Sequence, residues 1–442
     1  MPEVLSNTQI KKLGERIREK EFSKNTCSAE DLQNLHAFRL SFKESLNEIF
    51  HVLSDVSKQI HKNRIMTFRM KKIDTIISKL FREKGMDLDR MGDIAGCRCI
   101  VQSESAINKI IERLGKKYTL KINDKISVPD EDGYKAIHIY VKSKNCKKNR
   151  TVEIQLRTFD QHYWSTLVEI IDVIYDTSIK TGDNSIPKLS EFLKKYSDKD
   201  HLSLTDKIRL IEIEKEFGLY NQLNETFRKN LINLRMKWHH DYESYTNDTY
   251  LLFDVDQNTK ETSVKLFDTF IEAEDNYFLN FTNKEGDLLV AHLNVSNFNQ
   301  LATSYSNYIL TNHDFQDSWI VFCTATANEL IDSFELENLY VVSGSIRSMI
   351  ENVEDVLDSD VNEIDNQFNN RKIDVDQFLK MNKWIEEREI AQEERYDKFN
   401  ALETRLELKI NEMMGLNKNP IISFLKSFNP FRKQFPSSAA RD

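Results

Sequence analysis

Three stretches of this sequence hold side chains whose types and spacing suit chemistry on a magnesium nucleotide. The first runs Arg69-Met70-Lys71-Lys72-Ile73-Asp74-Thr75-Ile76-Ile77-Ser78-Lys79, the second Asp93-Ile94-Ala95-Gly96-Cys97-Arg98, and the third Val152-Glu153-Ile154-Gln155-Leu156-Arg157-Thr158. Between the last two sits Gly133-Tyr134-Lys135-Ala136-Ile137-His138. Arg and Lys are the standard partners of phosphate. Magnesium takes one or two carboxylates plus phosphate oxygens and waters, and Asp93 and Glu153 stand at comparable places on two strand-like runs. A carboxylate against an apolar strand is costly to bury unless paired or metal-bound. Taken singly, the basic run also fits a solvated helix face and the third stretch a plain surface strand. Their combination favours the nucleotide site.

The elements that must hold these residues follow from hydrophobic periodicity. Residues 7–60 read as helices, with Leu35, Phe38, Leu40, Phe42, Leu46, Ile49 and Phe50 as an amphipathic stripe. Residues 64–84 read as a further helix, with Ile73, Ile76, Ile77, Leu80 and Phe81 on its apolar side; this places Arg69 and Lys79 along one basic face and Lys71 beside it. IAGCRCIV at 94–101 is short, apolar and β-prone, a buried strand in which Arg98 should turn to a cleft. A helix over 105–115, a strand or loop over 116–128 and a strand over 136–142 follow. In residues 151–157 Val152, Ile154 and Leu156 alternate with Glu153, Gln155 and Arg157, which gives that strand one polar face. Phe159 opens a helix in which His162 and Trp164 read as packing residues.

Composition narrows the class. A chain of 442 residues suits two or three domains. Its 11 Gly and 6 Pro are few, which points to helix-rich structure. The net charge of −9 argues against a nonspecific nucleic-acid coat, yet residues 61–84 carry eight Lys or Arg against two acids. No apolar run is long enough to span a membrane, and the N-terminus lacks a signal-peptide core. The five scattered cysteines then read as reduced thiols, with Cys97 and Cys99 as buried strand residues, and the expected location is cytoplasmic. His239-His240-Asp241 reads as surface, because a helix sends adjacent residues to different faces.

The four stretches resemble the synthetase domain of the RelA/SpoT family, whose pattern runs R-x-K-x-x-x-S/T-I-x-x-K, D-I-A-G-x-R, G-Y-R-x-x-H and E-I-Q-I-R-T. The resemblance implies an α+β fold, a mixed β-sheet flanked by helices of nucleotidyltransferase-like type, without the HD hydrolase domain of the long family members. It implies an enzyme that moves pyrophosphate from ATP to the ribose 3′-hydroxyl of GDP or GTP, making (p)ppGpp. By motif position, Asp93 and Glu153 would be the catalytic and Mg2+-binding carboxylates. Arg69, Lys71 and Lys79 would hold the donor phosphates, Arg98 would sit near the β-phosphate or adenine, and Tyr134 would stack on the acceptor base. Lys135, His138 and Gln155 would add contacts. One departure concerns the acceptor: where the family has P-K-x-x-G-Y, this chain has Pro129-Asp130-Glu131-Asp132-Gly133-Tyr134. Like charges about 4 Å apart repel by about 4 kcal/mol at an effective dielectric near 20. An acceptor such as the 3′ end of tRNA or an adenine nucleotide, with a toxin or phage-defence role, is therefore the second reading, and a non-enzymatic nucleotide-binding regulator the third.

The expected organisation is a helical layer over 1–60, a synthetase core over 61–182, flanking helices over 183–247, a small and possibly regulatory α+β domain over 248–344, a helical hairpin or coiled coil over 345–415, and a flexible tail over 416–442. In the fourth segment TYLLFDVD, TSVKLFDTF, NYFLNF, DLLVAHLNV and DSWIVFCT read as strands, with helices at 296–310 and 326–338. The 345–415 helices would be the route to a homo-oligomer.

Overall fold

The computed structural model describes residues 5–19, 27–144, 150–179, 185–224, 232, 235, 248–255, 262–283, 287–294, 315–333, 335 and 338–416. In chain order its principal elements are α1 (Asn7–Glu19), α2 (Ala29–Leu40), α3 (Lys43–Lys58), β1 (Ile65–Met70), α4 (Ile73–Arg82), β2 (Ala95–Val101), α5 (Glu104–Gly115), β3 (Lys121–Asp124), β4 (Ile137–Lys142), β5 (Thr151–Thr158) and α6 (Phe159–Ile174). They are followed by α7 (Pro187–Tyr196), α8 (Leu204–Phe217), β6 (Asp248–Val255), β7 (Thr262–Phe267), α9 (Phe270–Asn283), β8 (Asp287–Asn294), α10 (Phe315–Asp332), α11 (Leu339–Asn369) and α12 (Val375–Leu416). The chain divides into two compact units, residues 1–183 with 242–310, and residues 184–241 with 311–442.

The first unit is built on an eight-stranded mixed sheet of order β3-β4-β5-β2-β1-β8-β6-β7. Only β2 and β5 run parallel; the other neighbours are antiparallel. One face is apolar, with Met66 and Phe68 of β1, Cys97 and Cys99 of β2, Ile139 of β4 and Ile154 of β5 all buried. Helices α3 and α5 pack on it. Burial also pushes the Cys97 and Cys99 thiols up, the latter to about 12; both are core residues, as their alternation implies. The opposite face of the central strands is polar.

Three features of the sequence reading are corrected. The expected helix over 64–84 begins with strand β1, so Arg69 lies on a strand and only Lys79 lies on α4. Ile65-Met66-Thr67-Phe68 is β-prone and finds β2 as a full-length partner; the stripe Ile76, Ile77 and Leu80 forms the helix that follows. The strands of 248–344 also do not form a domain of their own. β8 pairs with β1 through Met66↔His292, Thr67↔Ala291 and Phe68↔Val290, which extends the sheet formed by β1–β5.

NYFLNF lies within α9 and DSWIVFCT within α10, so both are helical rather than extended. Buried residues of α10 recur as Phe315, Trp319, Phe322, Cys323, Thr326, Ala327, Leu330 and Ile331, a 3.6-residue period that a short apolar window hides. The helix expected at 296–310 and the pair His239-His240 lie outside the described residues.

In the second unit α11 and α12 pack against each other. Arg388 is seated on Trp384 at 4.8 Å and reaches Asp360 at 2.6 Å. No helix among the described residues is long and apolar enough to cross a membrane.

Candidate active site

Register brings the polar residues together. On β1 Thr67 and Arg69 lie beside Arg98 and Gly96 of β2; Gly96 and Arg98 lie beside Glu153 and Gln155 of β5; Gln155 and Glu153 lie beside His138 and Tyr140 of β4. Side chains of paired residues share a face, so four strands present one polar surface. A cleft of about 360 Å³ opens on it, within the size range of small-ligand pockets. Its lining includes Arg69, Lys71, Asp93, Arg98, Tyr134, His138, Glu153 and Gln155.

Asp93 precedes β2 and faces two ammonium groups. Lys71 and Lys79 each place Nζ 2.9 Å from Asp93 Oδ2. Burial alone would push this carboxyl up, but the two lysines outweigh it and hold it below the usual carboxylate range. Its other oxygen, Oδ1, is buried and has no hydrogen-bond partner. A buried carboxylate oxygen without a donor is a natural ligand position for a hard cation, so Asp93 fits magnesium.

Glu153 is buried and differently held. His138 Nδ1 lies 3.0 Å from Oε1, Gln155 Nε2 donates to Oε2 at 2.9 Å, and the Tyr140 hydroxyl donates as well. Burial opposes ionisation here too, yet these donors bring the carboxyl down to about 2. Both oxygens thus already hold protein donors, and Glu153 is less suited than Asp93 to a metal. Among the described residues no group of three or more His, Cys, Asp or Glu is arranged as a metal cage.

The depressed Glu153 carboxyl has a consequence for stability. A group whose folded pKa is lowered stabilises the fold above its unfolded pKa, near 4.5, and loses that contribution as pH falls through about 2. In metal-free buffer the stability difference between wild type and Glu153→Gln is expected to shrink by about 3 kcal/mol across that window. Denaturant unfolding at several acidic pH values measures it; a difference that does not change with pH would contradict the described environment of Glu153.

Tyr134 follows Gly133, whose φ of 93° lies in the left-handed region that glycine tolerates. Its ring is half-buried rather than exposed. The guanidinium of Arg157 lies 5.0 Å and Lys125 Nζ 5.3 Å from the ring centre. The Tyr134 hydroxyl lies 2.8 Å from His138 Nε2 and accepts from Arg157. Nδ1 of His138 meets a carboxylate and Nε2 a hydroxyl, which favours the tautomer protonated at Nδ1. In the acidic loop, Asp130 is paired with Lys125 at 2.5 Å and Asp132 accepts from the Tyr134 amide at 2.9 Å. The row of acids is therefore partly neutralised where it borders the cleft.

The cleft omits two of the expected residues and adds others. Lys79 reaches it only through Asp93, and Lys135 is not among the lining side chains. Thr67, Arg82, Lys125 and Arg157 line it without having been singled out. Arg157 had a signal, since it continues the polar alternation of Glu153 and Gln155; Lys125 had none. Thr158 and Gln161, by contrast, are structural. They form a capping box at the start of α6, each side chain accepting from the other's backbone amide. His162 and Trp164 are buried, as packing residues should be.

Comparison with known proteins agrees with the motifs. Residues 68–179 match the family model described as a region found in RelA / SpoT proteins. The GTP pyrophosphokinase YwaC of Bacillus subtilis is 27% identical over 175 residues, which is 36% of this chain and 80% of that protein. The GTP pyrophosphokinase YjbM of the same organism is 28% identical over 124 residues, 26% of this chain and 58% of that protein. Among solved structures, small alarmone synthetase 1 of Bacillus subtilis bound to its product pppGpp is 25% identical, with a TM-score of 0.33, covering 38% of this chain and 90% of the other.

Proposed function

From the premise that this chain carries a RelA/SpoT synthetase domain, we propose that it transfers the β,γ-diphosphate of ATP to the ribose 3′-hydroxyl of GDP or GTP. One observation carries the reading. A single cleft holds a carboxylate clamped by two lysines and a second carboxylate clamped to a histidine. Such transfer is mostly positioning and charge neutralisation. The 3′-oxygen forms a bond to the β-phosphorus, the bond from that phosphorus to the α–β bridging oxygen breaks, and AMP leaves. Arg69 and Lys71 hold the donor phosphates, with Lys79 and Arg98 in support. When bound, magnesium would be held by Asp93 and phosphate oxygens and would neutralise charge on the transferred group. Glu153 takes the proton of the attacking hydroxyl. The attacking hydroxyl takes the place of one of its donors, which brings it within hydrogen-bond reach of the carboxylate. Tyr134 meets the acceptor base once Arg157 or Lys125 moves aside to phosphate.

A second acceptor class, the 3′ end of tRNA or an adenine nucleotide, is favoured by the presence of Asp130 and Asp132 in the cleft lining. Lys125 separates the two readings. In a guanine-nucleotide enzyme, Lys125→Ala uncovers Asp130 near the acceptor phosphates. KM for GDP or GTP should then rise about tenfold with KM for ATP unchanged, as one unscreened charge at partial exposure weakens binding by about 1–2 kcal/mol. Steady-state kinetics with each substrate varied in turn gives the answer; an unchanged acceptor KM would count against free guanine nucleotide at this loop.

A further inference from the structure

We infer that Tyr277, on the α9 helix that lies outside the matched family region, is a positioning residue for the donor-nucleotide site. It fixes the end of the strand that carries Arg69 and leads into Lys71. The inference rests on the reading of Arg69 and Lys71 as donor-phosphate ligands.

Strand β1 pairs with β2 along its whole length, Ile65 to Met70. With β8 it pairs only over Met66 to Phe68. Past Phe68 the β8 side of β1 has no strand neighbour among the described residues, and a buried amide there needs another acceptor. The amide of Met70 donates to the Tyr277 hydroxyl at 2.9 Å. The next amide, that of Lys71, donates to the other side, to the Ile94 carbonyl at 2.8 Å, one residue beyond Asp93. Residues 69–71 are thus gripped from both sides, by α9 and by the segment that carries Asp93. Because Arg69 and Lys71 flank Met70, rotation of that backbone would swing both cationic side chains.

The tether has little freedom of its own. Tyr277 is 1% exposed. Its ring meets Phe68 of β1 edge-on at 5.2 Å and Phe278 at 5.0 Å. Helix α9 is fixed at its start by Phe270, which stacks on Phe50 of α3 at 5.0 Å, and along its length by Lys43, whose ammonium is 3.2 Å from both Glu274 and Asp275. The Arg39 guanidinium, brought down to about 10 chiefly by burial, has Tyr277 and Asp74 of α4 as its electrostatic neighbours. Helix α9 therefore takes part in the donor half of the site.

The test uses the full chain and a non-hydrolysable ATP analogue with magnesium, with binding measured directly by calorimetry. Tyr277→Phe keeps the ring and removes only the acceptor oxygen. Phe270→Leu weakens the same helix without touching Met70. Binding of the analogue is expected to be about tenfold weaker for Tyr277→Phe, equivalent to about 1.4 kcal/mol, and unchanged for Phe270→Leu although its melting temperature falls. Equal affinity of Tyr277→Phe and wild type would overturn the inference alone, as would equal weakening of both variants. Failure of wild type itself to bind the analogue would overturn the reading of the donor site, and this inference with it.

Discussion

Replacing Asp93 with alanine or asparagine is expected to lower transfer by at least about 10³-fold, the scale seen when a preorganised charge-stabilising group is removed. The structure gives the reason. Asp93 is the shared partner of Lys71 and Lys79 and presents a buried carboxylate oxygen that has no hydrogen-bond partner. Without its charge the two ammonium groups face each other across a neutral side chain and lose their common anchor. Donor phosphates and magnesium both lose a fixed point. Binding of the ATP analogue should weaken together with turnover, and circular dichroism should show the fold retained. Normal turnover in purified Asp93→Asn would remove Asp93 from the site.

Glu153→Gln should cost about as much in turnover, roughly 10²–10⁴-fold for loss of a positioned base, but with a different signature. The amide can still meet His138 or Gln155, so the sheet face stays in place. The donor residues Arg69, Lys71 and Asp93 are untouched. Analogue binding should therefore persist while transfer collapses, and the loss should fall on kcat more than on KM for ATP. Loss of ATP binding equal to that of Asp93→Asn would show that Glu153 belongs to the donor or metal cluster. The split between the two carboxylates follows from their surroundings, one held by lysines and one by neutral donors and a histidine.

Much of the candidate site was legible because its chemistry is local in sequence. Alternation placed Glu153, Gln155 and Arg157 on one face of β5, and the apolar run 94–101 marked β2 with Arg98 turned outward. Pairing then confirmed which strands bring those faces together. What stayed hidden depended on long-range contacts. Residues 65–70 carry no period that separates a short strand from the first turns of an amphipathic helix, and the decision is made by β2 and β8 on either side. TYLLFDVD and DLLVAHLNV announced themselves as strands, but nothing local says that β8 will join a strand more than 200 residues earlier. The acidic loop was read at face value because the reach of Lys125 to Asp130 depends on how the chain turns after β3. Tyr277 had no motif at all; the contact of its hydroxyl with the Met70 amide depends on where β8 stops pairing with β1.

The central claim is a pyrophosphate transfer, and it is tested most directly with purified full-length protein, magnesium and γ-labelled ATP, offered GDP, GTP, ATP or bulk tRNA in separate reactions. Label appearing on GDP or GTP, with AMP released in equal amount, is the predicted result. Label on tRNA or adenine nucleotide with guanine nucleotides inert would keep the chemistry and move the acceptor, making Asp130 and Asp132 the determinants of choice. Label on no acceptor, from protein that binds the ATP analogue normally, would contradict the account.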